Sequence, residues 1–175
     1  MKPLANKDRP PRPGATIAIP GDPPIGPAEL ETLQRETFGY FVKEANPSNG
    51  LIADKTQPGA PSSIAAVGLA LSSYPVGVVR GFMSRADAVQ RTLATLRFFD
   101  ASVQGTEADA TGYKGFYYHF LDMSSGRRAW ECELSTIDTA FLLDGMLAAA
   151  AFFPDYPDDE REIPELGDKL YRRAR

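Results

Sequence analysis

Read for the spacing of its apolar positions, the chain divides into five helical stretches and one aromatic hairpin. From Pro27 onward, AELETLQRETFGYFVKEA carries Leu30, Leu33, Phe38 and Phe41 at helical intervals, which predicts an amphipathic helix. Proline suits its first turn, where the missing N–H would have no partner anyway. NPSNG (46–50) stops that helix, and LIADKTQPGAP (51–61) reads as irregular. Ser62 and Ser63 are placed to cap a second helix, SIAAVGLALSSY. Its small, apolar surface predicts burial on every side, and Pro75 and Gly77 are expected to end it. Ser84 with Asp87 three residues on forms a capping box for a third helix, SRADAVQRTLATLRFFDASV. Leu93, Leu96 and Phe99 (or Phe98) are its core stripe.

After the glycine-bearing loop 104–115 the period changes. FYYHFLD, then MSSG, then RRAWECEL alternates aromatic and polar residues around a turn, which predicts a β-hairpin. Ser135 opens a fourth helix, TIDTAFLLDGMLAAAAFF, again apolar nearly all round, and PDYPDD breaks it. A fifth, DEREIPELGDKLYRRA, carries Pro164 in its interior, where it should kink the helix or restart it. The class is mostly α. Buried Ala-rich helices follow charged ones, the alternation of inner and outer helices from which helical-hairpin toroids are built.

The totals exclude several functions. The chain has 175 residues, 43% of them hydrophobic, with a net charge of −4 and a pI near 5.1. Such a balance argues against a nucleic-acid partner, which usually meets a basic face. The single cysteine, Cys132, leaves no internal disulfide and reads as inert packing. The single histidine, His119, disfavours a zinc site. No phosphate-loop or EF-hand pattern occurs, so no cofactor is expected. No apolar run reaches the length of a membrane helix, and residues 1–27 read as a flexible proline-rich lead-in without a signal-peptide core. That combination predicts a cytoplasmic location with no membrane partner. The folded unit is expected over 28–175.

Three blocks carry a resemblance: TFGYFVKEANPSNGLIADK, SSIAAVGLALSSYPVGVVRGFMSRADAVQRTLATLRFF, and GYKGFYYHFLDMSSGRRAWECELSTIDTAFLLDGMLAAAAFF. Together they resemble the bacterial glucoamylase-like (glycoamylase) domain family, whose relatives include endo-β-1,2-glucanases and the transglycosylation region of cyclic β-1,2-glucan synthases. The resemblance covers roughly residues 28–175. It implies an (α/α)6 barrel, six helical hairpins in inner and outer rings, carrying a β-hairpin insertion. It also implies hydrolysis or transfer of glucose-based glycans by carboxylate acid/base chemistry. The family domain is much longer, so the implied architecture is a partial toroid: five helices of twelve. The inner helices 63–73 and 137–153 would then lack neighbours, and self-association or cover by a complementing chain is expected.

The chemistry concentrates in RRAWECELSTIDTAFLLDG (127–145), which holds two glutamates, an aspartate, two arginines and the only tryptophan. Glycoside hydrolysis normally needs two carboxyl groups about the scissile bond, roughly 6.5–9.5 Å apart for inversion and about 5–5.5 Å for retention. If 128–134 is extended, Glu131 and Glu133 share one face about 7 Å apart, while Arg128, Trp130, Cys132 and Leu134 share the other. A solvated strand edge has the same pattern. Ser135-x-x-Asp138 is a capping box, and a first-turn carboxylate suits the helix dipole. The resemblance adds that this helix start faces the cleft, so Asp138 can cap and touch substrate. The candidates for catalysis are Glu133 and Asp138. Those for substrate binding are Asp54, Tyr118, His119, Arg128, Trp130 and Glu131. Each has a plainer alternative: a turn aspartate for Asp54, a half-buried histidine, core packing for Tyr118, ion pairing for Arg128. The expected partner is an oligo- or polysaccharide.

Overall fold

The computed structural model describes residues 25–153 and 158–174. Most of the expected proline-rich lead-in (1–24) and the 154–157 portion of the break before the last helix lie outside the described residues. Five α-helices are described: α1 (Pro27–Lys43), α2 (Ile64–Val79), α3 (Arg85–Ala101), α4 (Thr136–Phe152) and α5 (Asp158–Arg173). Five short strands are interposed: β1 (Ser62–Ser63), β2 (Gly112–Tyr113), β3 (Phe116–Tyr118), β4 (Phe120–Leu121) and β5 (Leu134–Ser135).

The helices form two layers. α2 and α4 pack directly on one another, and α3 and α5 pack on one another outside them. Glycines set the inner crossing. A Cβ on Gly68 would lie 2.2 Å from the Phe141 carbonyl oxygen, and one on Gly145 would lie 2.1 Å from that of Gly68. Only hydrogen at both positions lets these backbones approach so closely. Leu71 and Tyr74 of α2, Leu142 and Met146 of α4, Leu96 and Phe99 of α3, and Ile163 and Leu170 of α5 close the core. Each such aliphatic side chain contributes about 1.5–3 kcal/mol. Ion pairs hold α5 to α3: Arg97 with Glu162, and Lys169 and Arg173 with Asp100, the latter two at 2.7 Å.

Several sequence expectations need correction. α2 does not end at Pro75; it continues through it to Val79. Its stop signal is Gly81 at φ +69°, with Phe82 N–H on the Gly77 carbonyl (2.7 Å) and Gly81 N–H on that of Val78 (3.2 Å), a Schellman arrangement. Packing outweighs proline's lost bond, because Tyr74 is buried and Gly77 lies against the Phe38 ring. Pro164 does not restart α5, which runs unbroken through it with Ile163 and Leu170 buried on either side. Ser62 and Ser63 form β1 instead of a side-chain cap: Ser63 is the N-cap residue but makes no cap bond. Ser84 and Ser135 cap α3 and α4 as expected, accepting from the backbone N–H of Asp87 and Asp138, while each aspartate accepts from the serine hydroxyl and not from the N-cap backbone N–H of a full capping box.

Burial is also one-sided where it was expected all round. α2 exposes Leu69, Val76 and Val79, and α4 exposes Ile137, Phe141 and Leu147. Leu30 and Leu33 of α1 are exposed as well; only Phe38 of the predicted stripe is fully buried. Leu33, Phe38 and Phe41 with Leu69, Val76 and Phe82 line an apolar groove of about 520 Å3 between α1 and α2.

The strands gather the entrances of both inner helices. β1 pairs antiparallel with β4, in register Ser62 to Leu121 and Ser63 to Phe120. The second sheet has the order β2-β3-β5, antiparallel throughout. β1 leads directly into α2 and β5 into α4. The chain between β3 and β4, which is His119, is thereby held where α2 and α4 begin.

Candidate active site

His119 is fixed first by its backbone. Its N–H donates to the Glu133 carbonyl (3.0 Å) and its own carbonyl accepts from Ile64 N–H at the start of α2 (3.2 Å). The half-buried ring then meets two carboxylates. Nδ1 lies 2.8 Å from Glu133 Oε1, and Nε2 lies 3.7 Å from Asp138 Oδ2. Asp138 Oδ2 also accepts from Ser135 Oγ at 2.5 Å, and Ser135 Oγ accepts from Asp138 N–H at 3.2 Å. The aspartate is therefore both a helix cap and a member of the cluster. Thr139 Oγ1 accepts from Tyr117 N–H (3.0 Å) and donates to the Ser135 carbonyl (2.6 Å), tying β3 to the first turn of α4.

Electrostatics separate the roles. Glu133 is solvent-exposed, and its own backbone N–H, then the His119 ring, hold its carboxyl below the usual carboxylate range. It is ionised at neutral pH. A general acid needs the opposite setting, crowded or apolar. The imidazole bonds Glu133 through one nitrogen and faces Asp138 with the other, so it stands between the two carboxylates. One ligand atom from each of the three side chains falls within 4.8 Å of the others, close enough to share one metal ion.

The return limb of the hairpin is not extended. Leu121 bridges Arg128, and Ala129 N–H reaches the Phe120 carbonyl (2.9 Å). Trp130 then adopts φ +57° and breaks the alternation. The expected sharing of one face by Glu131 and Glu133 fails for that reason: Glu131 is exposed and stands apart from the cluster. The free Cys132 also touches the outgoing limb: its Sγ accepts from Phe120 N–H (3.3 Å) and donates to the Phe120 carbonyl (3.4 Å).

The remaining candidates sort as follows. The Arg128 guanidinium lies 4.3 Å from the Tyr118 ring centroid, and its Nε donates to the Cys132 carbonyl (2.7 Å). Arg128 is thus a brace for the return limb, and it occupies the Tyr118 face that a sugar would need. Arg127 does pair with an acid, Asp109, at 2.8 Å. Asp54 is exposed on the loop before β1, with its N–H on the Pro61 carbonyl (2.8 Å); it sits beside the β1–β4 pair and not in the cluster. Trp130 is 68% exposed and touches Phe120 edge-on (centroids 5.3 Å), while Phe120 stacks on His119 (3.9 Å, 13°). Phe120 of the YYHF run, which reads from sequence as core, is the ring that supports the histidine.

No family model matches the chain. It is 29% identical over 152 residues to the exo β-1,2-glucooligosaccharide sophorohydrolase (non-reducing end) of Parabacteroides distasonis, covering 83% of this chain and 20% of that protein. A glucoamylase-like protein of Bacteroides uniformis superposes with a TM-score of 0.73 at 28% identity, covering 87% of this chain and 37% of that one. The β-1,2-glucanase of Parabacteroides distasonis superposes with a TM-score of 0.73 at 24% identity, over 83% of this chain and 20% of that one. The chain thus spans about a fifth of the curated relative it matches and just over a third of the first of these structures. The chain is similar in sequence to a β-1,2-glucooligosaccharide-acting protein and a glucoamylase-like protein, and its helical layers superpose on part of their α/α toroid fold.

Proposed function

We propose that the hairpin–α4 junction is the glycan-facing part of a glycoside hydrolase-like domain, and that its substrate is a β-1,2-linked glucan. The observation that carries this reading is His119 held between Glu133 and Asp138 at the entrance of an inner helix. Relatives named for β-1,2-glucan hydrolysis support the substrate class. In this reading Glu133 works as an ionised carboxylate, activating water or stabilising positive charge on the sugar ring. Asp138 orients the imidazole and anchors α4. The proton donor for the leaving group comes from another part of the toroid, since Glu133 is held on the wrong side of its usual range for that task. The exposed apolar faces of α2 and α4 support a further element: self-association, or cover by a complementing chain.

The test is reducing-end release from β-1,2-glucan by the wild-type chain, Glu133→Gln and Asp138→Asn. Glu133→Gln is expected to lose about 100-fold or more, and Asp138→Asn less. Equal release by all three removes both residues from the mechanism. Glucan binding without release by the wild type favours the second reading, a non-catalytic glycan-binding module that holds the sugar without cleaving it.

A further inference from the structure

Two non-glycine residues among those described have positive φ, and they are not alike. Lys114 (φ +52°) is followed by Gly115 (φ +82°) in the two-residue turn joining β2 to β3. Tight hairpins demand that conformation, so Lys114 is explained by its turn. Trp130 (φ +57°) has no such reason. Its neighbours are Ala129 and Glu131, not glycines, and a bulky residue is disfavoured in the left-handed region. The side chain gains little burial in return, since the indole is 68% exposed. Backbone strain combined with an exposed large aromatic is a combination that folding alone does not select, and strain of this kind gathers at ligand sites.

The surroundings say what the indole faces. It meets the Phe120 ring at an angle of 64°, and that ring lies flat against His119, which bonds Glu133. A chain of aromatic contacts therefore runs from Trp130 to the carboxylates. Most of the Trp130 surface stays open to solvent beside them. Tyr118, the other aromatic available, already has Arg128 over its face.

We infer that Trp130 is a sugar-stacking platform that seats one glucopyranose of the glycan beside the His119–Glu133 pair, its exposed indole carried on a strained backbone. The inference rests on the glycan reading above and adds the subsite. A β-glucopyranose carries its hydroxyls equatorially, leaving axial C–H groups on each face to lie on an aromatic ring.

Trp130 is the only tryptophan, so intrinsic fluorescence reports on this position alone. Sophorose is titrated into the full chain and followed by emission and, in parallel, by calorimetry. The expected result is an emission change that saturates with the calorimetric binding curve and persists in Glu133→Gln. Trp130→Ala and Trp130→Gly both weaken sophorose binding about tenfold. Trp130→Gly nevertheless melts at a higher temperature than Trp130→Ala, because glycine relieves the left-handed strain that alanine keeps. Binding heat without any emission change overturns the platform while leaving the glycan reading intact. No binding heat at all ends both. Trp130→Gly melting below Trp130→Ala removes the strain argument, and unchanged sophorose affinity in both variants removes the subsite.

Discussion

At the scale of single residues, the junction is built from side chains that do two things at once. Asp138 caps α4 and faces His119; Cys132 accepts from the Phe120 N–H and donates to its carbonyl; Arg128 braces a limb through carbonyl oxygens and a ring. Asp122 plays the same part at the tip of the hairpin. Its Oδ1 accepts from the backbone N–H groups of Ser124 and Ser125 and from both hydroxyls, at 2.8–3.1 Å. The Ser125 backbone bond first, then the serine hydroxyls, lower its pKa from 3.8 to about 2. The folded value lies below the unfolded one, so the stabilisation is present above the unfolded value and is lost as pH falls towards 2. Because the group is largely exposed, its contribution is about 1 kcal/mol, well under what the shift alone suggests. Denaturant melts of wild type and Asp122→Ala should differ by about that amount at neutral pH and converge as pH drops from about 4 to 2. A gap that stays constant across that window contradicts the assignment.

Elements were legible in the sequence to the extent that their signals are local. The caps at Ser84 and Ser135 placed the starts of α3 and α4, because a cap needs only residues three apart. Proline misled at Pro75 and Pro164, since tertiary packing of α2 and α5 outweighs one missing N–H. The hairpin was visible as an aromatic alternation, but its return limb was not, because no pattern announces a left-handed tryptophan. The cluster was half legible. Glu133, Asp138 and His119 were named separately, while the bridge through His119 depends on β3 pairing with β5 and on the His119 N–H bond to the Glu133 carbonyl, a tertiary register that no local pattern announces. Helix faces carry the next prediction. The outward apolar stripes of α2 (Leu69, Val76) and α4 (Ile137, Phe141) are what inner helices offer to further inner helices. Sedimentation velocity on the wild-type chain should give species larger than 19.0 kDa at micromolar concentration, and Leu69→Lys with Phe141→Lys should shift it toward monomer. A wild type that sediments only as monomer removes the self-association proposal.

For the whole molecule, the arrangement places every entrance on one side. β1 enters α2, β5 enters α4, and His119 lies between them on the same sheet system. The two inner helices thus begin where the carboxylates and the exposed indole collect, and the glycine crossing of Gly68 and Gly145 holds those entrances together. The α1–α2 groove belongs to a different part of the surface, mostly apolar in what it exposes, with Gln34, Thr37, Ser72, Ser73 and Arg80 among its lining residues. Among the described residues no helix is long and apolar enough to cross a membrane. A β-1,2-linked glucan proposed to meet this protein at the hairpin–α4 junction can be followed by titrating β-1,2-glucooligosaccharides into the isotopically labelled chain and mapping the amide and indole resonances that move. The largest changes are expected over residues 118–138, including the Trp130 indole N–H; changes confined to the α1–α2 groove, or none at saturating sugar, would place the glycan elsewhere or exclude it.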